Sequence, residues 1–329
     1  MKVLITGASG FVGLHFAEFL AHEHPSVEVT GLVRPHGTAP SELPGRMMIV
    51  EADIDDRAAV DAALDLVRPD RIVHLAAQSS PQASWTDPGG TLHTNVHGLL
   101  NVLEAVRKRS LSPRVLVIGS AEEYGLVDPK EAPLPETTPL RPASPYAVSK
   151  VAQGYLALSY VLSFQLGVLR TRTFHHTGPG RGESFAESSF ARQIAEIEAG
   201  RRRPVLEVGN LEAVRDFTDV RDVVRAYWAL LERGDAGEVY NVCSGKGVRI
   251  REVLEILINA AGLDVEVRVD PARLRPSDVP ALVGDPRKLK AATGWEPQRP
   301  LAQTLADLLQ YWRVHVGKEA LRPAPKRAR

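Results

Sequence analysis

Short apolar, β-branched runs alternate with longer stretches of helical period from Lys2 to about Arg172. The runs Val3–Thr6, Val27–Val33, Met47–Glu51, Ile72–Ala76, Val115–Gly119 and Gly167–Thr171 read as strands. Between them Val12–His22, Arg57–Leu66, Thr94–Lys108 and Tyr146–Phe164 carry apolar positions at helical spacing. Near-continuous apolar strands separated by amphipathic helices indicate a parallel sheet covered on both faces. The expected fold is therefore α/β, a Rossmann-type doubly wound sheet. Past His175 the pattern loosens, and the runs Val205–Val208, Val239–Val242 and Val265–Val269 are short and scattered. We expect a dinucleotide-binding domain over 1–174, to which some later segments return. A smaller C-terminal α/β substrate lobe over 175–315 and a basic flexible tail over 316–329 follow.

Composition narrows the options by exclusion. Forty basic residues balance forty acidic ones, so no global field favours nucleic acid or an anionic membrane surface. With 44% hydrophobic residues the chain can bury a large core, yet no apolar run approaches the roughly 18 residues of a membrane span. The chain opens directly into Met1-Lys2-Val3-Leu4, without a leader pattern, and a single cysteine, Cys243, fits a reducing compartment. A cytoplasmic enzyme with a small-molecule substrate is the expectation.

The first candidate chemistry lies in Gly7-Ala8-Ser9-Gly10-Phe11-Val12-Gly13, which follows the first strand and opens the first helix. Glycines there permit a tight turn and let backbone N–H groups approach a pyrophosphate at a helix N-terminus. The second strand ends in Val33-Arg34-Pro35, with no acid. An acid at this place holds the ribose hydroxyls of NAD, whereas an arginine accommodates the 2′-phosphate of NADP. Arg34 thus points to NADP(H), although it also reads as a plain loop arginine. Asp53 and Ile54 follow the third strand where a carboxylate reaches the adenine amino group, or simply caps a helix. Leu75, Ala76 and Ala77 end the fourth strand on the same side of the sheet.

The second constellation is Ser120, at the end of the fifth strand, and Tyr146-Ala147-Val148-Ser149-Lys150 beyond it. Tyr146 and Lys150 stand at i and i+4, on one helical face. A phenol with an ordinary pKa near 10 is a poor proton shuttle at neutral pH, and a neighbouring ammonium favours its ionised form. Lys150 is therefore expected to lower the Tyr146 pKa, and Ser120 to orient a substrate oxygen.

Glycine turn, strand-end serine and Tyr-x-x-x-Lys, in this order, resemble the extended short-chain dehydrogenase/reductase family from Met1 to about Gln310. The resemblance implies that Ser120, Tyr146 and Lys150 are catalytic. It also implies that Asn95 supports Lys150 through water. The segments Arg172–Gly180, Val208–Asp222 and Arg275–Pro280 resemble the GDP-mannose branch, which contains 4,6-dehydratases and 4-keto-6-deoxymannose reductases. That likeness implies sugar-nucleotide contacts at His175, Arg181, Asn210, Arg215, Arg275 and Asp278. Arg215 is expected near a loop turn, although Arg215–Asp216 and Arg221–Asp222 also read as surface ion pairs.

Glu122 stands where dehydratases carry a proton-abstracting glutamate, but reductases of the branch share Glu-Glu-Tyr-Gly here. The loop Pro35–Pro44 lacks the long insertion expected of a tetrameric dehydratase. The reading that results is NADPH-dependent reduction of the C4 ketone of a GDP-linked 4-keto-6-deoxymannose. The alternatives are GDP-mannose 4,6-dehydratase, another nucleotide-sugar epimerase or dehydratase, and a non-catalytic NADP-binding regulator. The resemblance also implies a homodimer through the helices near 94–108 and 146–164. Neither His22/His24 nor His175/His176 has the neighbours of a zinc site, so no metal is expected.

Overall fold

Strand β1 (Lys2–Thr6) carries four consecutive buried residues, as a strand covered on both faces requires. In the computed structural model, which describes residues 1–35, 47–274 and 279–320, it occupies an inner position of a seven-stranded sheet. The first half of the chain continues through α1 (Phe11–Glu23), β2 (Glu28–Val33), β3 (Met48–Glu51), α2 (Arg57–Val67) and β4 (Arg71–His74). The short helices α3 (Pro81–Thr86) and α4 (Pro88–Leu92) lead into α5 (Gly98–Lys108), β5 (Arg114–Ser120), α6 (Pro145–Phe164) and β6 (Val168–Thr173).

The second half comprises β7 (His175–Thr177), α7 (Ala186–Glu198), β8 (Val205–Val208), β9 (Val214–Asp219), α8 (Val220–Arg233) and β10 (Val239–Val242). After these come β11 (Gly247–Arg249), α9 (Ile250–Ala261), β12 (Glu266–Val269), β13 (Ala281–Leu282), α10 (Arg287–Thr293) and α11 (Leu301–Ala320). The last helix runs to Ala320, so helical backbone continues past the expected start of the tail at 316.

The main sheet is parallel throughout, in the order β10-β6-β5-β4-β1-β2-β3. Its strand order reverses between β1 and β4, and ligands of open α/β sheets bind outside the carboxyl ends at such a reversal. One face packs under α1 and α8 through Phe16, Leu20, Val223, Tyr227 and Leu230. The other packs under α2, α5 and α6 through Val60, Leu64, Leu103 and Ala157. A separate core of Phe190, Ile194, Leu254, Leu308 and Trp312 joins α7, α9 and α11 in the second lobe.

Two expectations change here. The helix expected over Thr94–Lys108 begins as a π-helical turn, His93–His97, before α5 proper. Such widened turns collect at functional sites, because they re-aim one face of a helix. The stretch around Arg215 is no loop turn but strand β9, paired with β7, β11 and β13. Asp216 is fully buried and accepts N–H bonds from Ser244, Gly245 and Gly284, so it forms no surface pair with Arg215. Asp222 is likewise buried, binding the backbone N–H groups of Gln298 and Arg299, while Arg221 bonds to Asp219 and Asp307. Neighbours in sequence point to opposite faces of a strand, or around a helix, and this separates both pairs.

Candidate active site

A cleft of about 1170 Å³ runs along the carboxyl ends of the main sheet, between it and the second lobe. At one end the turn after β1 presents Gly7, Ser9, Gly10, Phe11, Val12 and Gly13 to the cleft. Gly7 has φ +69°, and a Cβ there would lie 2.8 Å from the Ala76 backbone nitrogen. A Cβ on Gly13 would lie 2.6 Å from the Gly7 carbonyl oxygen. Both positions therefore exclude any side chain. Gly10 caps α1 without a side-chain hydrogen bond, and the first turn holds no acid, so nothing on the helix itself competes for an anion there. Arg34 is exposed at the end of β2 and lines the same groove, as do Asp53, Ile54, Leu75, Ala76 and Ala77. This donor set fits a dinucleotide with a 2′-phosphate.

At the middle of the cleft β5 delivers Ser120 and α6 delivers Tyr146 and Lys150. The Ser144 hydroxyl caps α6 by accepting the Ala147 N–H at 3.1 Å, and Pro145 sets its first turn, which places Tyr146 at the helix start. Ser120 begins a 3₁₀ turn over Ala121–Glu123, and its hydroxyl oxygen accepts the Glu122 N–H at 3.2 Å. Glu123 closes a capping box by accepting the Ser120 N–H at 2.8 Å.

Burial dominates the electrostatics at Tyr146. Burial pushes its phenol up to about 12, opposed by a hydrogen bond from Ser120 and by the Arg181 charge. The Lys150 ammonium lies 6.0 Å from the centre of the phenol ring and donates instead to the Ile118 carbonyl and to Gln153 Oε1, each at 2.9 Å. Burial brings Lys150 itself down to about 8, with Glu123 opposing. At neutral pH the Tyr146 phenol is therefore protonated. Asn95 sits in the π-helical turn, donating to Ser149 Oγ at 2.8 Å and accepting the Gln78 N–H at 2.8 Å. It makes no direct bond to Lys150.

Opposite the main sheet the second lobe supplies the far wall, while Glu122 faces the cleft from the turn after β5. His175, Arg181, Asn210 and Arg215 also face the cleft. Arg181 is stacked between Phe11 and Phe185, its guanidinium carbon 5.2 and 3.3 Å from the ring centres, with Glu187 at 3.8 Å. Arg215 Nη1 donates to the Val279 carbonyl at 2.7 Å. Arg275, Asp278 and most of the loop Pro35–Pro44 lie outside the described residues.

Sequence reasoning missed the groups beneath Ser120. Glu123 is buried and paired with Arg172 at 3.1 Å, and Arg172 also donates to the Tyr124 hydroxyl and the Glu136 carbonyl. Burial pushes the Glu123 carboxyl up, and the Arg172 charge opposes it. The available signal was an acid and an arginine in strand-end segments that are otherwise apolar. It also missed His176, stacked parallel to Phe11 at 6.2 Å and held neutral by burial, with a pKa lowered to about 3.

The sequence pattern of the GDP-mannose 4,6 dehydratase family matches residues 4–308. The chain belongs to this family. It is 38% identical to GDP-6-deoxy-D-mannose reductase of Pseudomonas aeruginosa, covering 97% of this chain and 99% of the relative. Against GDP-mannose 4,6 dehydratase 2 of Arabidopsis thaliana the identity is 32%, over 90% of this chain and 82% of that protein. Among solved structures, RMD from Pseudomonas aeruginosa complexed with NADPH superposes with a TM-score of 0.84 at 35% identity, covering 95% and 99% of the two chains. UDP-glucose 4-epimerase of Thermus thermophilus in complex with NAD reaches 0.85 at 31% identity, covering 95% and 99%. The family and the Rossmann-type parallel sheet therefore agree with the expectation from sequence.

Proposed function

We propose that this enzyme reduces the C4 ketone of GDP-4-keto-6-deoxy-D-mannose to GDP-D-rhamnose, using NADPH. The observation that carries the reading is a buried, protonated Tyr146 beside Ser120, midway between the glycine turn with Arg34 and the second lobe. The similarity to a GDP-6-deoxy-D-mannose reductase supports the substrate, and the neighbour complexed with NADPH supports the cofactor.

Bound along the groove from Arg34 to Lys150, NADPH supplies the hydride. The turn from Gly7 to Gly13 holds its pyrophosphate and Arg34 its 2′-phosphate. Asp53, Ile54, Leu75, Ala76 and Ala77 enclose the adenosine end. Ser120 donates to the C4 oxygen and orients it, and Tyr146 gives that oxygen its proton as negative charge develops. Lys150 holds the nicotinamide ribose and stabilises the tyrosinate left behind. His175, Arg181, Asn210 and Arg215 bind the sugar and diphosphate, joined by Arg275 and Asp278. Exposed Val148, Tyr155 and Leu162 recur every seventh residue along α6, which supports a homodimer through this helix and α5. No helix among the described residues is long and apolar enough to cross a membrane, and we place the enzyme in the reducing cytoplasm, where Cys243 stays a buried thiol.

Glu122 favours a second reading, in which the cleft dehydrates GDP-mannose with bound NADP. A product assay separates the two. The protein is incubated with GDP-mannose alone, and with GDP-mannose, a separate dehydratase and NADPH. GDP-D-rhamnose only in the second mixture supports the reductase; keto-sugar from GDP-mannose alone establishes the dehydratase instead.

A further inference from the structure

Asp55, on the loop that also carries Asp53, meets His93 and His97. Each offers one ligand atom, and these atoms all lie within 4.8 Å of one another. The two histidines come from the π-helical turn and stack with ring centres 4.6 Å apart, 15° from parallel. Asp55 comes from the loop between β3 and α2. We propose that these three side chains form a binding site for a divalent transition-metal ion, with zinc the best chemical match.

The carboxylate makes the strongest case. Asp55 Oδ2 accepts the Thr94 hydroxyl at 2.9 Å, which fixes the orientation of the group. Its other oxygen, Oδ1, is buried and has no hydrogen-bond partner. That atom faces His93 Nε2 at 3.8 Å, beyond hydrogen-bond reach. A buried carboxylate oxygen without a partner is costly, and a bound cation removes the cost. The rival account, a simple His93–Asp55 ion pair, leaves Oδ1 without a bond and is worth little at a site where His93 is 57% exposed.

Two imidazoles and one carboxylate suit zinc, and a fourth position open to water completes a tetrahedron. Ligand atoms around tetrahedral zinc stand about 3.3 Å apart, given bonds of about 2.0 Å. Side-chain rotations of roughly 1 Å therefore close the present arrangement. Asn101 already braces the loop, its amide donating to the Ile54 and Asp55 carbonyls at 3.0 and 3.3 Å and lying 3.5 Å from His97 Nδ1. An ion here ties the Asp53–Asp55 loop to the turn that carries Thr94 and Asn95. It is a structural clamp and takes no part in hydride transfer.

The test uses the full chain, stripped with a chelator and equilibrated with micromolar Zn²⁺ or Co²⁺. One ion per chain, visible tetrahedral Co²⁺ bands and loss of both in His93→Ala and Asp55→Asn support the site, as does release on acidification through the imidazole range. On the unmodified protein, Zn²⁺ should protect His93 and His97 together from diethyl pyrocarbonate, read by peptide mass spectrometry. This arm does not depend on variants folding. Metal uptake unchanged in His93→Ala, no uptake at all, or modification of both histidines at the same rate with and without Zn²⁺ overturns the proposal.

Discussion

Glu123 holds Ser120 in place from beneath, its Oε1 accepting the Ser120 N–H at 2.8 Å while its other oxygen pairs with Arg172 at 3.1 Å. The serine at the middle of the cleft is thereby anchored to a buried ion pair. Removing one partner of such a pair strands the other charge, typically at about 3–5 kcal/mol. Glu123→Gln keeps an acceptor for the Ser120 N–H but strands Arg172. Urea unfolding should show a loss of this order, and a change below about 1 kcal/mol would mean the pair is not buried as described.

Lys150 and Tyr146 set the expected pH profile. Burial brings the Lys150 ammonium down to about 8 and takes the Tyr146 phenol up to about 12. Below pH 8 the lysine is charged and the tyrosine protonated, so kcat/KM for ketone reduction should be level. As pH rises through about 8 the lysine loses its proton and kcat/KM should fall, about tenfold per unit. Tyr146 should contribute no limb until far higher pH. Tyr146→Phe should lower kcat by about 10²- to 10⁴-fold. A profile that instead rises through pH 8 would contradict this assignment.

Gly13→Ala should abolish NADPH binding. Its Cβ would stand 2.6 Å from the Gly7 oxygen, 2.7 Å from the Ala8 oxygen and 2.8 Å from the Ala8 Cα, all backbone atoms. The turn must open to admit it, at about 1–3 kcal/mol of stability, and the amides then lose their aim. Fluorescence titration with NADPH and thermal melting read the two effects separately.

Arg34→Asp should change cofactor preference. A charge-assisted bond to phosphate contributes about 1.5–3 kcal/mol, equivalent to roughly 10- to 100-fold in binding. The NADPH-to-NADH ratio of kcat/KM should drop by at least this factor. An unchanged ratio would leave Arg34 as an ordinary loop arginine.

His74 makes stability depend on acid. Burial and the Lys150 charge lower its pKa to about 3, against 6.5 for a free imidazole. Between those values the unfolded chain binds a proton that the folded chain refuses. Stability should therefore fall as pH drops from 6.5 toward 3, by up to about 1.4 kcal/mol per unit from this group. His176 has the same shift and adds to the slope. Unfolding free energy measured across this range should fall more gently in His74→Asn, whatever its absolute stability.

Most strands, the glycine turn and the Tyr146–Lys150 pair were legible in the chain itself, because each rests on local spacing. Periods of 2 and 3.6 residues report which face is buried, and a glycine between a strand and a helix reports a turn no Cβ fits. Order along the chain also placed Ser120 and Tyr146 at the same end of the sheet, since parallel strands all finish there. Contacts between segments far apart in sequence were decided by tertiary structure alone. Only the register of β5 against β6 sets Glu123 against Arg172, and only the packing of α6 on β5 brings the Lys150 ammonium to the Ile118 carbonyl. The pairing of β9 with β7, β11 and β13 converted a presumed loop around Arg215 into a buried strand. Asp55 meets His93 and His97 because the loop after β3 packs against the π-helical turn, a relation no local pattern records. The sequence by itself determined the elements and the chemistry carried at their ends. Burial and strand adjacency decided which charges those groups hold and which partners they keep.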